Sequence, residues 1–242
     1  ITIITVVKNS ASTIEKCIKS VLEQNYDEIE YIVIDGNSED GTKEILEKYK
    51  DKIDNFIIEN DKGIWDAMNK GVKKATGEIV GFLNADDFYY PGALNLVNKY
   101  FKNQEIDFLF GSVKKYKIMH GYQPWKIRLS FGFYTSHSIG FFIKLDKHRL
   151  VGEYNLNFLS SDLDFFYKMI VNNKLVGTSS KKNEIFGEFK SGGFSSKINY
   201  VTHLRDLNNI RLNNNQSKLL VYFLYLMKII KKPIKFLKAY LD

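Results

Sequence analysis

The amino-acid sequence predicts an α/β fold, with a mostly parallel central sheet flanked by helices and a C-terminal amphipathic helical tail. Short apolar segments alternate with helical patterns four times in the first 90 residues, and the connections are short. This alternation is typical of parallel strands joined by crossover helices. The hydrophobic share of 44% and the charged share of 26% are those of a globular protein rather than of a disordered chain.

Four apolar segments are the predicted strands of the sheet. They are short and rich in β-branched residues, as strands buried on both faces are. They cover residues 1–7, 31–34, 56–58 and 79–83. The second strand ends at Asp35 in a turn composition, and the fourth leads through Asn84 into Asp86 and Asp87. Because ligands bind beyond the carboxyl ends of parallel strands, these carboxylates are expected to face one crevice.

Helices are predicted between these strands and after them. Apolar residues recur at helical spacing from Ile14 to Leu22 and around Leu46, and a third helix is expected over residues 66–75. Beyond Pro91 the pattern weakens. It predicts a helix at 93–101, a strand at 108–110, an antiparallel hairpin within 113–122, a helix at 162–172, and one or two helices over 218–241 interrupted at Pro233.

The net charge of +7 is concentrated near the C-terminus, where residues 218–238 hold six lysines and no acid. A basic chain can meet nucleic acid, anionic lipid or phosphorylated small molecules. Elsewhere the lysines are interleaved with acids and no zinc or recognition motif occurs, so nucleic acid is not an expected partner. The single cysteine, Cys17, cannot form an internal disulfide and is interpreted as a buried small hydrophobe.

The adjacent carboxylates of Asp86 and Asp87 suit a hard divalent cation. Such a cation takes oxygen ligands from one or two carboxylates, from substrate phosphates and from water. It would also relieve the repulsion between the two side chains. The alternative is an ordinary Asp-rich turn, and the position after a buried strand favours the metal site.

The motifs TVVKN (5–9), IDGNSEDGT (34–42), GIWDAMNKG (63–71) and GEIVGFLNADD (77–87) resemble those of family 2 glycosyltransferases, in the same order and at the same spacing. The resemblance implies a GT-A type fold. Residues 1–212 would form the glycosyltransferase domain, with a nucleotide-sugar-binding half at 1–90 and an acceptor half at 91–212. Residues 213–242 would form the basic helical tail, after a polar hinge at 213–215.

The resemblance also implies roles in donor binding. Thr5 would lie against the nucleotide base, and Asp35 would bind the uracil or ribose. Asp86 would contact the ribose or a metal, and Asp87 would hold Mg²⁺ or Mn²⁺ on the diphosphate. The family has an aspartate at the position of Asn84, which could still contact the ribose.

A second motif resembles a variant found in capsule, lipopolysaccharide and colanic-acid enzymes. In this segment, 60–66, Lys62 would meet a phosphate and Asp66 a ribose or donor sugar. The alternative for Asp66 is an acid at a helix start, where the helix dipole favours a negative charge.

Weaker similarity through residues 162–164 suggests the catalytic base. The resemblance places Asp162 where a carboxylate would take the proton of the acceptor hydroxyl. Ser161 replaces the glutamate that commonly precedes it in the family, and the alternative for Asp162 is a helix cap. His137, Ser161 and Lys190 are further, weaker candidates for acceptor or diphosphate contacts. The glycine-rich segment 192–195 resembles a loop that closes over phosphates, and the alternative is an ordinary flexible turn.

The implied activity is an inverting transfer from a nucleotide-sugar donor, expected to be a UDP-sugar, to a glycan acceptor in bacterial surface polysaccharide synthesis. The acceptor is expected to be lipid-linked, for example to polyprenyl diphosphate. The alternative is a non-catalytic protein of the same fold that binds nucleotide sugars or a membrane surface.

The continuous apolar run in the tail is too short to span a bilayer. A basic amphipathic helix that lies at a membrane surface fits the tail better. This reading predicts a cytoplasmic protein, peripheral on the inner face of the membrane. The alternative is a helix packed on the protein or on a second copy in a homo-oligomer.

Overall fold

The computed structural model of the chain describes residues 1–129, 138–189 and 198–241. The strands in these ranges are β1 (Thr2–Val7), β2 (Glu30–Asp35), β3 (Asn55–Ile58), β4 (Ile79–Asn84), β5 (Phe88–Tyr89), β6 (Phe108–Phe110), β7 (Ser112–Lys114), β8 (Ile118–Met119), β9 (Phe141–Lys144), β10 (Gly177–Ser179) and β11 (Ile185–Glu188). The α-helices are α1 (Ile14–Leu22), α2 (Thr42–Glu47), α3 (Ile64–Lys74), α4 (Ala93–Asn103), α5 (Leu145–Val151), α6 (Ser161–Tyr167), α7 (Tyr200–Asn213), α8 (Lys218–Lys231) and α9 (Pro233–Leu241).

Seven strands form the central sheet, in the order β10-β6-β9-β4-β1-β2-β3. Neighbouring strands are parallel except where β9 pairs antiparallel with β4 and β6. The predicted mostly parallel α/β sheet is therefore confirmed. β9 is an apolar four-residue strand that the sequence analysis missed, and it joins the strands of the first 90 residues to those of the second half.

Each face of this sheet has its own hydrophobic core. Successive side chains of a strand point to opposite faces, so Ile3 and Val7 of β1 join one core while Ile4 and Val6 join the other. Helices α1, α2 and α4 cover the first face, and α3, α5 and α6 cover the second. Burial on both faces explains why β1, β2 and β4 are continuous apolar runs, whereas β3 lies at the edge of the sheet and is only partly buried.

A second, smaller sheet has the order β5-β11-β7-β8. Its β7 and β8 form the antiparallel hairpin that the sequence predicts, and β5 follows directly after the acidic turn at the end of β4. The smaller sheet therefore begins next to that acidic turn.

The C-terminal helices begin with α7, which the sequence analysis missed. The predicted break at Pro233 is confirmed, since α8 ends at Lys231 and α9 begins at Pro233. The polar segment after α7 is a fixed turn rather than a hinge, because Asn214 and Gln216 are buried and Gln216 accepts a hydrogen bond from Tyr167. A domain boundary at residue 213 stays a prediction. Within the described ranges, every helix is too short or too polar to cross a bilayer.

Candidate active site

The carboxyl ends of β1, β2 and β4 lie side by side. In the sheet register Val7 is opposite Asp35, and Val6 is opposite Asn84. The ends of β2 and β4 therefore flank the end of β1, and the structure brings Asp35 and the acidic turn of Asp86 and Asp87 to one edge of the sheet, as predicted.

Asp35 is fully buried at this edge. Its Oδ1 accepts hydrogen bonds from the Ser38 hydroxyl at 2.5 Å and the Ser38 amide at 3.2 Å, which close the turn after β2. A Cβ added to Gly36 would overlap the carboxylate of Asp61, so Asp61 lies directly over this turn. The sequence analysis gave Asp61 no role, and the structure adds its negative charge to the edge.

The turn from Asn84 to Asp87 is closed by the Asp87 amide, which donates to the Asn84 carbonyl at 3.0 Å. The Asp87 side chain is only 2% exposed, whereas Asp86 is half-buried. Asn84 Nδ2 lies 3.4 Å from Asp87 Oδ2 and donates to the Ser138 hydroxyl at 3.0 Å. Of the two residues, Asp86 is therefore the more exposed.

This donor set fits a divalent cation. Asn84 Oδ1 is buried and has no hydrogen-bond partner among the residues that the structure describes. That oxygen and the two carboxylates are hard ligands of the kind Mg²⁺ and Mn²⁺ take alongside substrate phosphates. In the same ranges no group of three or more His, Cys, Asp or Glu side chains is arranged to hold a metal ion.

Thr5 lies below the acidic turn. It is fully buried, and its hydroxyl is 3.1 Å from the Tyr31 hydroxyl and 3.9 Å from Cys17 Sγ. Burial raises the pKa of the Cys17 thiol, and the charges of Asp87 and Asp86 raise it further. The Thr5 hydroxyl is therefore held within the fold by Tyr31, and its role in donor binding stays a prediction.

Lys62 and Asp66 join the loop before α3 to its first turn. Asp66 Oδ2 accepts a hydrogen bond from the Lys62 amide at 3.0 Å and pairs with Lys70 Nζ at 3.3 Å. These contacts, led by the Lys62 amide, lower the pKa of Asp66. Asp66 is therefore an acid in the first turn of α3, as in the alternative given above. The Lys62 side chain is exposed and remains a candidate for a phosphate contact.

Asp162 lies in the first turn of α6, and the segment before it contacts α3. Trp65 Nε1 donates to the Leu159 carbonyl at 3.2 Å, and the Trp65 ring packs on Tyr154 with centroids 5.3 Å apart. Burial raises the pKa of Tyr154, and the nearby charge of Asp162 adds to that rise. Since Trp65 is in the first turn of α3, which follows β3, the α6 start lies on the carboxyl side of the sheet.

Three of the weaker predictions cannot be placed. His137, Lys190 and the segment 192–195 lie outside the described residues.

Ser161, which precedes Asp162, is fully buried, and its hydroxyl has no partner in the described part of the chain. Ser138, next to His137, holds Asn84, a contact that no sequence signal indicated.

A separate cavity of about 190 Å³ lies between the later turns of α3 and the end of α5. Its lining includes Asn69, Val72, His148 and Glu153, and none of the predicted site residues. Because α3 starts at the carboxyl edge and runs away from it, this cavity is distant from the acidic turn and we do not assign it to the site.

A family model described as glycosyl transferase family 2 matches residues 2–163. An uncharacterized glycosyltransferase of Rickettsia typhi is 40% identical over 103 residues, which are 41% of this chain and 32% of that protein. The chain thus spans about a third of the length of that curated relative.

Two solved structures have the same fold. The 1–349 fragment of S. aureus TarS in complex with UDP-GlcNAc superposes with a TM-score of 0.69 at 18% identity, over 93% of this chain and 70% of that one. A mannosyltransferase from Pyrobaculum calidifontis, in complex with GDP-Man and Mn²⁺, gives 0.66 at 16% identity, over 91% and 67%. At these identities the likeness establishes the fold, which is of the GT-A type.

Proposed function

This chain belongs to glycosyl transferase family 2, and on that premise we propose that it transfers a sugar from a nucleotide-sugar donor to a glycan acceptor with inversion. The observation that carries the proposal is that Asp35 and the turn of Asp86 and Asp87 lie at one edge of the sheet. The start of α6 with Asp162 adds support, because the segment before it is hydrogen-bonded to Trp65 in the first turn of α3. This edge is where α/β sheets bind their ligands.

The donor would be held at the ends of β2 and β4. Asp35 is proposed to contact the nucleoside and Asn84 the ribose or the metal, with Lys62 near a phosphate. Mn²⁺ or Mg²⁺ held by Asp86 and Asp87 would neutralise the charge that grows on the leaving diphosphate. Asp86 is the first carboxylate that an ion reaches from outside, since Asp87 is almost completely buried.

Asp162 is proposed to take the proton from the acceptor hydroxyl. The hydroxyl oxygen then bonds to the anomeric carbon as the bond from that carbon to the diphosphate breaks, in a single displacement. An α-linked D-sugar donor therefore gives a β-linked product. UDP is the nucleotide we propose, in line with the UDP-GlcNAc bound by TarS, and GDP is the alternative, in line with the GDP-Man bound by the P. calidifontis enzyme.

The test compares the wild type with Asp162→Asn. Thermal shift with Mn²⁺ across a panel of UDP- and GDP-sugars first selects the donor, since a ligand that binds the folded state raises its stability. Release of the nucleoside diphosphate is then followed with water or added glycans as acceptors. We expect Asp162→Asn to bind the donor with unchanged affinity and to turn over about 100- to 10,000-fold more slowly.

Full turnover in Asp162→Asn would refute the base assignment. A wild type that binds nucleotide sugars without any turnover, in the presence of Mn²⁺ and varied glycan acceptors, would support the non-catalytic alternative.

The tail supports a proposal about the acceptor. Apolar side chains on the outer face of α8 and α9 are 47% to 85% exposed; this outer face consists of Leu219, Tyr222, Phe223, Leu226, Met227, Ile230, Ile234, Leu237 and Tyr240. Exposed lysines, among them Lys231, Lys235 and Lys238, flank it. We propose that the outer face lies in the surface of an anionic membrane, on its cytoplasmic side, and presents the site to a lipid-linked glycan.

A further inference from the structure

Helix α7 holds the backbone segment that precedes Asp162. Asp206 Oδ1 accepts a hydrogen bond from the Leu159 amide at 3.0 Å, and Oδ2 accepts one from the Ser160 amide at 2.8 Å. The Asp206 side chain is buried, with 6% of its surface exposed. Hydrogen bonds to an ionised carboxylate are stronger than those between neutral groups, so this is a firm restraint on two consecutive peptide units.

Helix α3 holds the same segment, at the carbonyl of Leu159. Trp65 Nε1 of α3 donates to the Leu159 carbonyl at 3.2 Å. Leu159 is therefore bound at its amide by Asp206 and at its carbonyl by Trp65. Since α6 begins at Ser161, these contacts set where the first turn of α6 starts and in which direction the Asp162 side chain leaves it.

A second contact from α7 fixes the far side of that turn. The turn after α7 contributes Asn214, whose Nδ2 donates to Asp164 Oδ1 at 2.7 Å. The other oxygen of Asp164 pairs with Lys168 Nζ at 2.7 Å. α7 and the turn after it thus restrain the residues on both sides of Asp162, which is half-buried.

We propose that Asp206 is a positioning residue for the catalytic base. It fixes the backbone of Leu159 and Ser160 so that the Asp162 carboxylate lies within reach of the acceptor hydroxyl. The proposal rests on the proposed function, in which Asp162 is that base. A misplacement of about 1 Å in a catalytic group can cost about 100-fold in rate, so a restraint of this kind should be visible in turnover.

The first experiment compares Asp206→Asn with Asn199→Ala in the full chain. Asp206→Asn keeps the shape but offers its amide NH₂ group to one of the two backbone donors. Asn199→Ala is the matched control, because it removes the N-cap of α7, whose side chain accepts from the Val201 amide at 2.8 Å, and leaves Asp206 in place. With Mn²⁺ and UDP-GlcNAc, or the nucleotide sugar selected by thermal shift, we expect kcat to fall about 10- to 100-fold in Asp206→Asn alone, with donor KM within about twofold.

The second experiment repeats Asp206→Asn in the Asp162→Asn background. A residue that acts only through Asp162 should change the remaining rate there by less than about twofold. Hydrogen exchange gives a readout that needs no turnover: the Leu159 and Ser160 amides should exchange at least about tenfold faster in Asp206→Asn, and at the wild-type rate in Asn199→Ala.

Three results would overturn the positioning role. They are unchanged exchange of the two amides, equal loss of kcat in Asp206→Asn and Asn199→Ala, and a further multiplicative loss in the Asp162→Asn background. Full activity in Asp162→Asn would sink the base assignment itself. An inactive Asp162→Asn beside a fully active Asp206→Asn would sink only the positioning role.

Discussion

Asn84 at the end of β4 donates a hydrogen bond from Nδ2 to the hydroxyl of Ser138, at 3.0 Å. Ser138 precedes β9, so this bond ties the acidic turn to the strand that closes the sheet beside β4. It also fixes the orientation of the Asn84 amide, whose Oδ1 is buried without a partner in the described part of the chain. An amide oxygen held in this way is preorganised for a ligand.

Replacement of Asn84 by aspartate tests this arrangement. Asn84→Asp restores the acid that the family has here, but it removes the donor to Ser138 and adds a third carboxylate beside Asp86 and Asp87. We expect the free energy of unfolding without metal to fall by about 1 to 3 kcal/mol and the thermal shift on adding Mn²⁺ to grow. Calorimetry with and without Mn²⁺ measures both, and an unchanged Mn²⁺ shift would argue against a metal at this turn.

The two carboxylates of the turn should respond differently to removal. Asp86→Ala should abolish Mn²⁺-dependent UDP binding while the free energy of unfolding changes by about 0.5 kcal/mol or less, because Asp86 is partly exposed. Asp87→Ala should weaken binding too, and also lower the free energy of unfolding by about 1 to 3 kcal/mol, because it takes a partner from the buried Asn84 amide. Titration calorimetry and thermal denaturation separate the two effects. Undiminished UDP binding by Asp86→Ala would contradict its role.

The buried imidazole of His148 predicts a loss of stability in mild acid. Burial lowers its pKa to about 3, and its ring packs on Phe165 with centroids 4.5 Å apart. The imidazole of the unfolded chain takes up a proton near pH 6.5, whereas that of the folded chain stays neutral. The free energy of unfolding is therefore unaffected by His148 above pH 6.5 and decreases as the pH falls from there towards 3. At pH 5 the loss is about 2 kcal/mol.

His148→Phe keeps an aromatic ring in that cluster and has no proton to bind. Urea unfolding of both proteins should be measured from pH 8 to pH 4. The free energy of unfolding of the variant should rise relative to that of the wild type only below about pH 6.5. A difference between them that does not vary with pH would mean that the pKa of His148 is the same in the folded and the unfolded chain.

The outer face of the tail predicts binding to anionic vesicles. Phe223→Ser combined with Ile230→Ser removes two side chains that are 57% and 61% exposed, so vesicle flotation should fall at least about tenfold while the melting temperature stays the same. The matched control is Leu150→Ser combined with Val176→Ser, at sites that are 61% and 59% exposed. A wild type that fails to float but dimerises, with the tail variant monomeric, would show instead that a second copy covers this face.

The sheet was largely predictable because β1, β2 and β4 are buried on both faces, while the edge strand β3 is partly buried. Strands buried on both faces carry a strong apolar signal, and a helix follows each of β1, β2 and β3 along the chain. β9 and β10 are short strands that follow weak or ambiguous patterns, and the sequence gives no sign that β9 pairs between β4 and β6. Non-local pairing of short strands is set by tertiary packing, which local sequence does not record.

The positions of Asp35 and Asp86 at strand ends were predictable, because an acidic turn after an apolar segment is visible in the sequence, and their roles stay predictions. The site was not predictable where a buried polar side chain holds another segment of the chain by hydrogen bonds. α7 has four such residues in or just after it, Asp206, Arg211, Asn214 and Gln216, and by composition all of them belong on the surface. Their burial becomes understandable only once their partners in other elements are known, such as the amides that Asp206 accepts.

The position of β9 between β4 and β6 has a consequence for synthesis on the ribosome. When residue 84 has left the exit tunnel, one edge of β4 has no neighbour until residues 141–144 follow. At roughly 5–20 residues per second, this unpaired hydrophobic edge persists for several seconds. Nascent chains stalled in that interval should therefore be the ones that aggregate or recruit chaperones, because an open strand edge invites pairing with other chains.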